Sequence, residues 1–170
     1  DNRSFSMKNR SQNALLNQTR EWHKNVYKNE IGEILSWETS RITPLNIVRT
    51  EKGKNVVYRT VELLNSVDLY DEGNVMHHCV AEYDEDCKDG LSTIFSLRKD
   101  IDKEISTSLV TIEVDLDNMR IVEAKGKYNE EPDKKSLELI DVWAKSSQIK
   151  GSYEIAASEI QNNVVMIENR

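Results

Sequence analysis

Apolar and polar residues alternate most cleanly in the middle of the chain. Phe95 and Leu97, then Val110, Ile112 and Val114, then Val122 and Ala124 recur with a period of two. That spacing places them on one face of a pleated sheet. The other face carries Ser96, Arg98, Thr111, Glu113, Glu123, Lys125 and Lys127, and reads as the solvent side of an antiparallel sheet. Three strands follow: Thr93–Arg98, Thr107–Asp115 and Arg120–Lys127. The links between them are short (Lys99–Lys103, then Leu116-Asp117-Asn118), and parallel neighbours would need long crossovers, so they form an antiparallel meander. Val56-Val57-Tyr58, after the turn-like Glu51-Lys52-Gly53-Lys54, predicts a further short strand.

Helical spacing flanks the strands. Leu15, Thr19, Trp22 and Val26 recur at steps of four, three and four, predicting a helix over 11–28 capped by Ser11 and carrying Trp22-His23. Ser66 caps a short helix through Asp71, ended by Gly73. A second helix is expected from Val75 to Lys88, stopped by Gly90. Pro132 opens a helix over 133–148 with Leu137, Ile140, Trp143 and Ala144 as its apolar stripe. The stretch 31–44 is apolar but irregular, with Trp37 as a packing anchor. The pattern defines an α+β fold, a three- to four-stranded antiparallel β-meander packed with several helices. Residues 1–10 read as a flexible segment, 11–150 as the domain, and 151–170 as a tail with helical spacing at Ile155, Ile160 and Val164.

Composition narrows the class. The chain has 170 residues, 38% of them hydrophobic and 31% charged, enough for one buried core and unlike a disordered chain. No apolar run is long enough to span a bilayer, so no membrane association is expected. The start at Asp1 suggests a piece of a longer polypeptide or complex. Cys79 and Cys87, if on one helix, would lie about 12 Å apart at roughly 1.5 Å per residue. A disulfide needs Cα atoms within about 7 Å, so reduced thiols and a cytoplasmic setting are expected. The net charge of −7 opposes a nonspecific grip on nucleic acid, yet the charge is uneven. Residues 1–28 hold six basic side chains against two acidic ones, and residues 62–89 hold nine acidic ones against Lys88. A local basic face is therefore retained.

Candidate chemistry concentrates at His77-His78-Cys79, which gathers two of the three histidines and one of the two cysteines. On a helix over 75–88, Met76, Val80, Tyr83 and Cys87 form the core stripe, with Cys79 at its edge. Cys79 is then either a small buried hydrophobe or a nucleophile near a helix start, assisted by His77 or His78. His78 points away from that stripe, toward solvent or a polar pocket. The spacing matches no usual zinc ligand set, and no metal or other cofactor is expected. Lys125-Gly126-Lys127-Tyr128-Asn129 sets two cations around a glycine at a strand end, a candidate anion cradle.

The order Leu69-x-x-Glu72-Gly73-x-x-Met76-x-His78-Cys79-Val80-x-x-Tyr83, followed by Gly90-x-x-x-Ile94-Phe95-Ser96-Leu97-Arg98, resembles the PcfJ-like family of conjugative plasmids and phages. Glu21-Trp22-His23 and Gly126-Lys127-Tyr128-Asn129, with Pro132 and Trp143, resemble outlying segments of the same family. Lys125 stands where the family often has arginine, and Glu123 near a frequent glutamine. The resemblance implies a mobile-element setting near DNA transfer or replication, without a settled reaction.

Three functions remain open at this point. The first is an accessory domain that acts with nucleic acid or with a protein partner of the mobile element. The second is a metal-independent phosphodiester- or nucleotide-processing enzyme. In it His78 and His77, with Tyr83 and Lys127, would be catalytic. Arg98, Lys125, Gly126, Asn129, Trp22 and His23 would hold the substrate. The third is a thiol enzyme built on Cys79. No histidine follows His78 in the sequence, so a papain-like order is excluded and only a local His-Cys pair would serve.

Overall fold

The computed structural model describes Asn25, residues 32–102 and residues 105–151. Apart from Asn25, the helix expected over 11–28, with Trp22 and His23, lies outside the described residues. So do the segment 1–10 and the tail beyond residue 151.

Residues 35–151 belong to one compact unit built on a five-stranded antiparallel sheet in sequential order. Its strands are β1 (Asn46–Glu51), β2 (Lys54–Leu63), β3 (Ser92–Ile101), β4 (Ile105–Asp115) and β5 (Arg120–Lys125). The α+β meander holds, with five strands in place of the expected three to four. The missed strand is β1, an edge strand whose sequence Asn-Ile-Val-Arg-Thr-Glu leaves only Ile47 and Glu51 partly buried. A strand so exposed need not alternate apolar and polar residues. It joins β2 through Lys52 (φ 50°) and Gly53 (φ 76°), and two positive φ values in succession match the twist of a tight hairpin.

Helices cover both faces of the sheet. Helix α3 (Lys134–Ser146) packs on one side, capped by Asp133, whose side chain accepts from the Ser136 amide at 2.7 Å. Its buried stripe is Ser136, Leu139, Ile140, Trp143 and Ala144, so Leu139 takes the place expected for Leu137. Trp143 is fully buried and meets Phe95 edge-on at 4.8 Å, while its indole donates to the Thr43 carbonyl. Val56, Tyr58, Leu97, Val110, Ile112, Val114, Ile121 and Ala124 complete this core.

On the other face lie α1 (Ser66–Met76) and the one-turn α2 (Asp84–Lys88), joined by a 3-10 turn at Val80–Tyr83. Leu63, Leu69, Val80, Cys87 and Ile94 form a second, smaller core there. Leu69, the first residue of the motif, is fully buried, and burying such a side chain contributes about 1.5–3 kcal/mol. The polar face of the sheet is therefore covered rather than open to water: Ser96 is 0% and Thr111 7% exposed.

This half of the fold departs most from the expected helix over 75–88. Helix α1 is capped by Asn65, which accepts from the Asp68 amide. It runs through Gly73 to Met76 and stops at His77, which adopts the left-handed conformation (φ 55°). The chain then turns, so Cys79 is exposed rather than at the core edge, while Cys87 is buried.

Candidate functional site

Two one-residue bulges set which side chains meet beneath α1. Ser96 pairs with Thr111 and Arg98 with Ser108, so Leu109 has no partner and the register shifts between Leu97 and Arg98. Residues 108 and 111 would face opposite ways on a regular strand, and the bulge returns both to one face. A second shift pairs Glu113 with Glu123 but Val114 with Ile121. It sends Ile121 into the core and leaves Val122 46% exposed. Strict alternation had assigned Val122 to the core.

The aligned side chains form a continuous hydrogen-bonded series ending at one carboxylate. Arg98 Nε donates to Ser96 Oγ (3.1 Å), Ser96 to Ser108 Oγ (3.3 Å), and Ser108 to Glu72 Oε2 (3.0 Å). Arg98 Nη2 also reaches Glu72 Oε2 at 3.4 Å. From the other side Thr111 donates to Glu72 Oε1 at 3.1 Å. Thr111 Oγ1 lies 2.9 Å from His78 Nε2. A hydroxyl has one hydrogen, and Thr111 gives it to Glu72; its oxygen must then accept from His78 Nε2–H. The series thereby fixes the imidazole tautomer and leaves Nδ1 as the acceptor nitrogen. Glu72 is only 2% exposed, and its donors come from β3 and β4, so the carboxylate ties α1 to two strands.

Gly73 brings His78 to this position. The His78 amide donates to the Gly73 carbonyl at 3.2 Å, and a Cβ on Gly73 would lie 2.9 Å from the His78 carbonyl oxygen. No larger residue allows the loop to close so tightly over the helix. The Glu-Gly pair of the motif thus has two parts: Glu72 orients His78 through Thr111, and Gly73 makes room for its backbone.

His78 opens onto a cleft of about 180 Å³ whose walls include Cys79, Glu82, Tyr83, Thr111, Glu113, Glu123, Lys125 and Asn129. Burial pushes the His78 imidazole below its ordinary value of 6.5, opposed by the Glu72 and Glu123 carboxylates. Burial pushes the Glu113 carboxyl above 4.5, with the Glu123 charge adding to it, against hydrogen bonds from Ser92 and Tyr83. Burial likewise raises the Tyr83 phenol, reinforced by Glu113. Burial thus disfavours the charged form of both groups, lowering the imidazole and raising the carboxyl, so that their titrations are drawn toward each other.

The remaining expected site residues are distributed around this centre. Lys125 lines the cleft and donates to Glu131 at 2.6 Å. Asn129 lines it too, whereas Lys127 is absent from its walls and lies over the Tyr128 ring at 5.5 Å. Arg98 is engaged with Glu72 and Ser96. Gly126 brings β5 close to the next segment, its amide donating to the Glu130 carbonyl at 2.8 Å. His77 is exposed and stacks on Tyr128 with ring centroids 4.7 Å apart. Cys79 is exposed at the cleft. Among the described residues no group of three or more His, Cys, Asp or Glu side chains gathers as a metal site. Glu72, Thr111 and Glu113 join the site without having been among its expected residues. The bulges that align them leave no mark on the sequence, although Glu72 stood inside the motif.

The chain matches the model of the PcfJ-like protein family over residues 8–140, well over half of its 170 residues, and it belongs to that family. No curated protein and no solved structure matches it.

Proposed function

We propose that this PcfJ-like chain is a mobile-element domain whose His78 cleft performs general acid–base chemistry on a nucleotide unit of nucleic acid. The observation that carries the reading is the Glu72–Thr111–His78 series, which holds one imidazole in one tautomer at the wall of a cleft. His78 Nδ1 serves as base and the Glu113 carboxyl as the facing acid. Ser92 Oγ donates to Glu113 Oε1 at 2.8 Å and holds that carboxyl in place.

Charge favours an uncharged reacting group over a phosphate. Glu82 and Glu123 face the cleft, and its ammonium, Lys125, already binds Glu131. Size points to an extended substrate. At about 180 Å³ the cleft falls below the roughly 300–1,000 Å³ of ordinary small-ligand sites. One group of a larger molecule enters while the rest lies outside.

A purely structural reading also has an observation in its favour, since the His78–Thr111 bond pins the loop over 77–80 to the sheet. Turnover separates the two. Incubated with single-stranded and duplex DNA, RNA and free nucleotides, the parent protein is expected to convert one of these. Proteins carrying His78→Asn or Glu113→Gln should be slower by about 10²–10⁴-fold, the usual contribution of general acid–base catalysis. Activity should fall on both sides of an optimum, with limbs displaced inward from 6.5 and 4.5 because the two groups are shifted in opposite directions. No conversion by the parent, or equal conversion by the His78→Asn protein, rejects the catalytic reading.

A further inference from the structure

Beside the cleft stands a feature that neither the core nor the hydrogen-bonded series requires. His77 and Tyr128 stack nearly parallel, at an interplanar angle of 11° and a centroid separation of 4.7 Å. Tyr128 is 62% exposed, and His77 is exposed as well. Both occupy the left-handed region, with φ of 55° and 60°, and Asn129 follows at 60°. Such backbone is uncommon for residues other than glycine, and for bulky side chains it carries strain. The two rings come from separate segments, the end of α1 and the 3-10 turn at Lys127–Asn129. Their chain neighbours His78 and Asn129 line the cleft, so the stack sits at its rim.

We propose that the His77–Tyr128 stack is a platform for an unpaired base of single-stranded nucleic acid, placed to seat the strand whose neighbouring unit enters the His78 cleft. The proposal rests on the nucleic-acid reading of that cleft and adds the form of the substrate. A flat pair of exposed rings receives a third flat ring, and every base has a face to offer regardless of sequence. Duplex bases are already stacked on each other and cannot take part. Lys127, over the Tyr128 ring at 5.5 Å, forms no salt bridge among the described residues and supplies a local cation for the accompanying phosphate. Nonspecific attraction is weak, because the chain carries a net charge of −7. The grip therefore depends on stacking more than on charge, and is selective for unpaired strands.

Equilibrium binding tests this without requiring turnover, so it stays informative whether or not His78 is catalytic. Fluorescence anisotropy with short labelled DNA and RNA strands, and with their duplexes, should show preference for the single strands. Tyr128→Asn removes the ring while placing a residue that tolerates positive φ, and should weaken single-strand binding about ten-fold or more. Tyr128→Phe should bind as the parent does, which assigns the effect to the ring, and a Tyr128→Asn protein with the parent's urea unfolding midpoint separates loss of stacking from loss of folding. Lys127→Ala should flatten the salt dependence by about one phosphate contact. Unchanged binding by the Tyr128→Asn protein, or equal affinity for duplex, overturns the platform. Tyr128-dependent binding of an aromatic-rich peptide, with no binding of any oligonucleotide, overturns its assignment to nucleic acid.

Discussion

Gly73 and His78 are held so closely that a methyl group on the one would meet the carbonyl oxygen of the other at 2.9 Å. The contact is with backbone, so it cannot be relieved by rotating a side chain. It explains why a glycine lies inside helix α1, where it would otherwise cost about 1 kcal/mol relative to alanine.

Gly73→Ala is therefore expected to destabilise the protein although alanine favours helix. Overpacking costs typically about 1–3 kcal/mol, which exceeds the gain in propensity. Urea unfolding checks the sign. A variant as stable as the parent, or more so, would show that the loop is not closed against the helix.

A second cluster links the first hairpin to α3. Glu51 accepts from Tyr58 (3.0 Å), from Lys99 (3.2 Å) and from Lys135. The bond from Lys135, with those from Lys99 and Tyr58, lowers its carboxyl from 4.5 to about 2. A group depressed on folding stabilises the native state above its unfolded value and loses that contribution as pH falls. Stability should therefore decline between pH 4.5 and about 2 in the parent, with a shallower decline in the Glu51→Gln protein. Identical acid profiles for the two would remove the cluster from the account.

The cysteines are distinguished by their surroundings. Cys79 is exposed, while burial pushes the Cys87 thiol up to about 12. A thiol-selective reagent at neutral pH should modify Cys79 in the folded protein and spare Cys87 until the chain unfolds. Two modified thiols in the native state would contradict the placement of Cys87 against Leu63 and Ile94.

Strand periodicity made β3 and β4 legible, and Pro132 announced α3. Helix bookkeeping failed between residues 72 and 90. It treated Gly73 as a stop and carried one helical phase through His77, where the backbone turns left-handed. Since a single turned residue reorients everything after it, Cys79 went from core edge to surface. The polar face of the sheet is covered, with Ser96 and Thr111 buried, and alternation identifies a face without showing what packs on it. Bulges at Leu109 and Val122 hid the rest: they bring Ser108 to Glu72 and expose Val122, and neither has a local marker. His78 was identifiable from composition and motif, whereas Glu72, Thr111 and Glu113 needed the register.

The central claim is that Glu72, acting through Thr111, presents His78 as a neutral imidazole with its proton on Nε2. Nitrogen-15 NMR of the His78 ring, titrated in the parent and in a Thr111→Val protein, measures this directly. The parent should show the Nε2–H tautomer and titrate below 6.5, because burial disfavours the cation. The Thr111→Val ring should lose that tautomer preference. A parent His78 that titrates at or above 6.5, or carries its proton on Nδ1, would contradict the account.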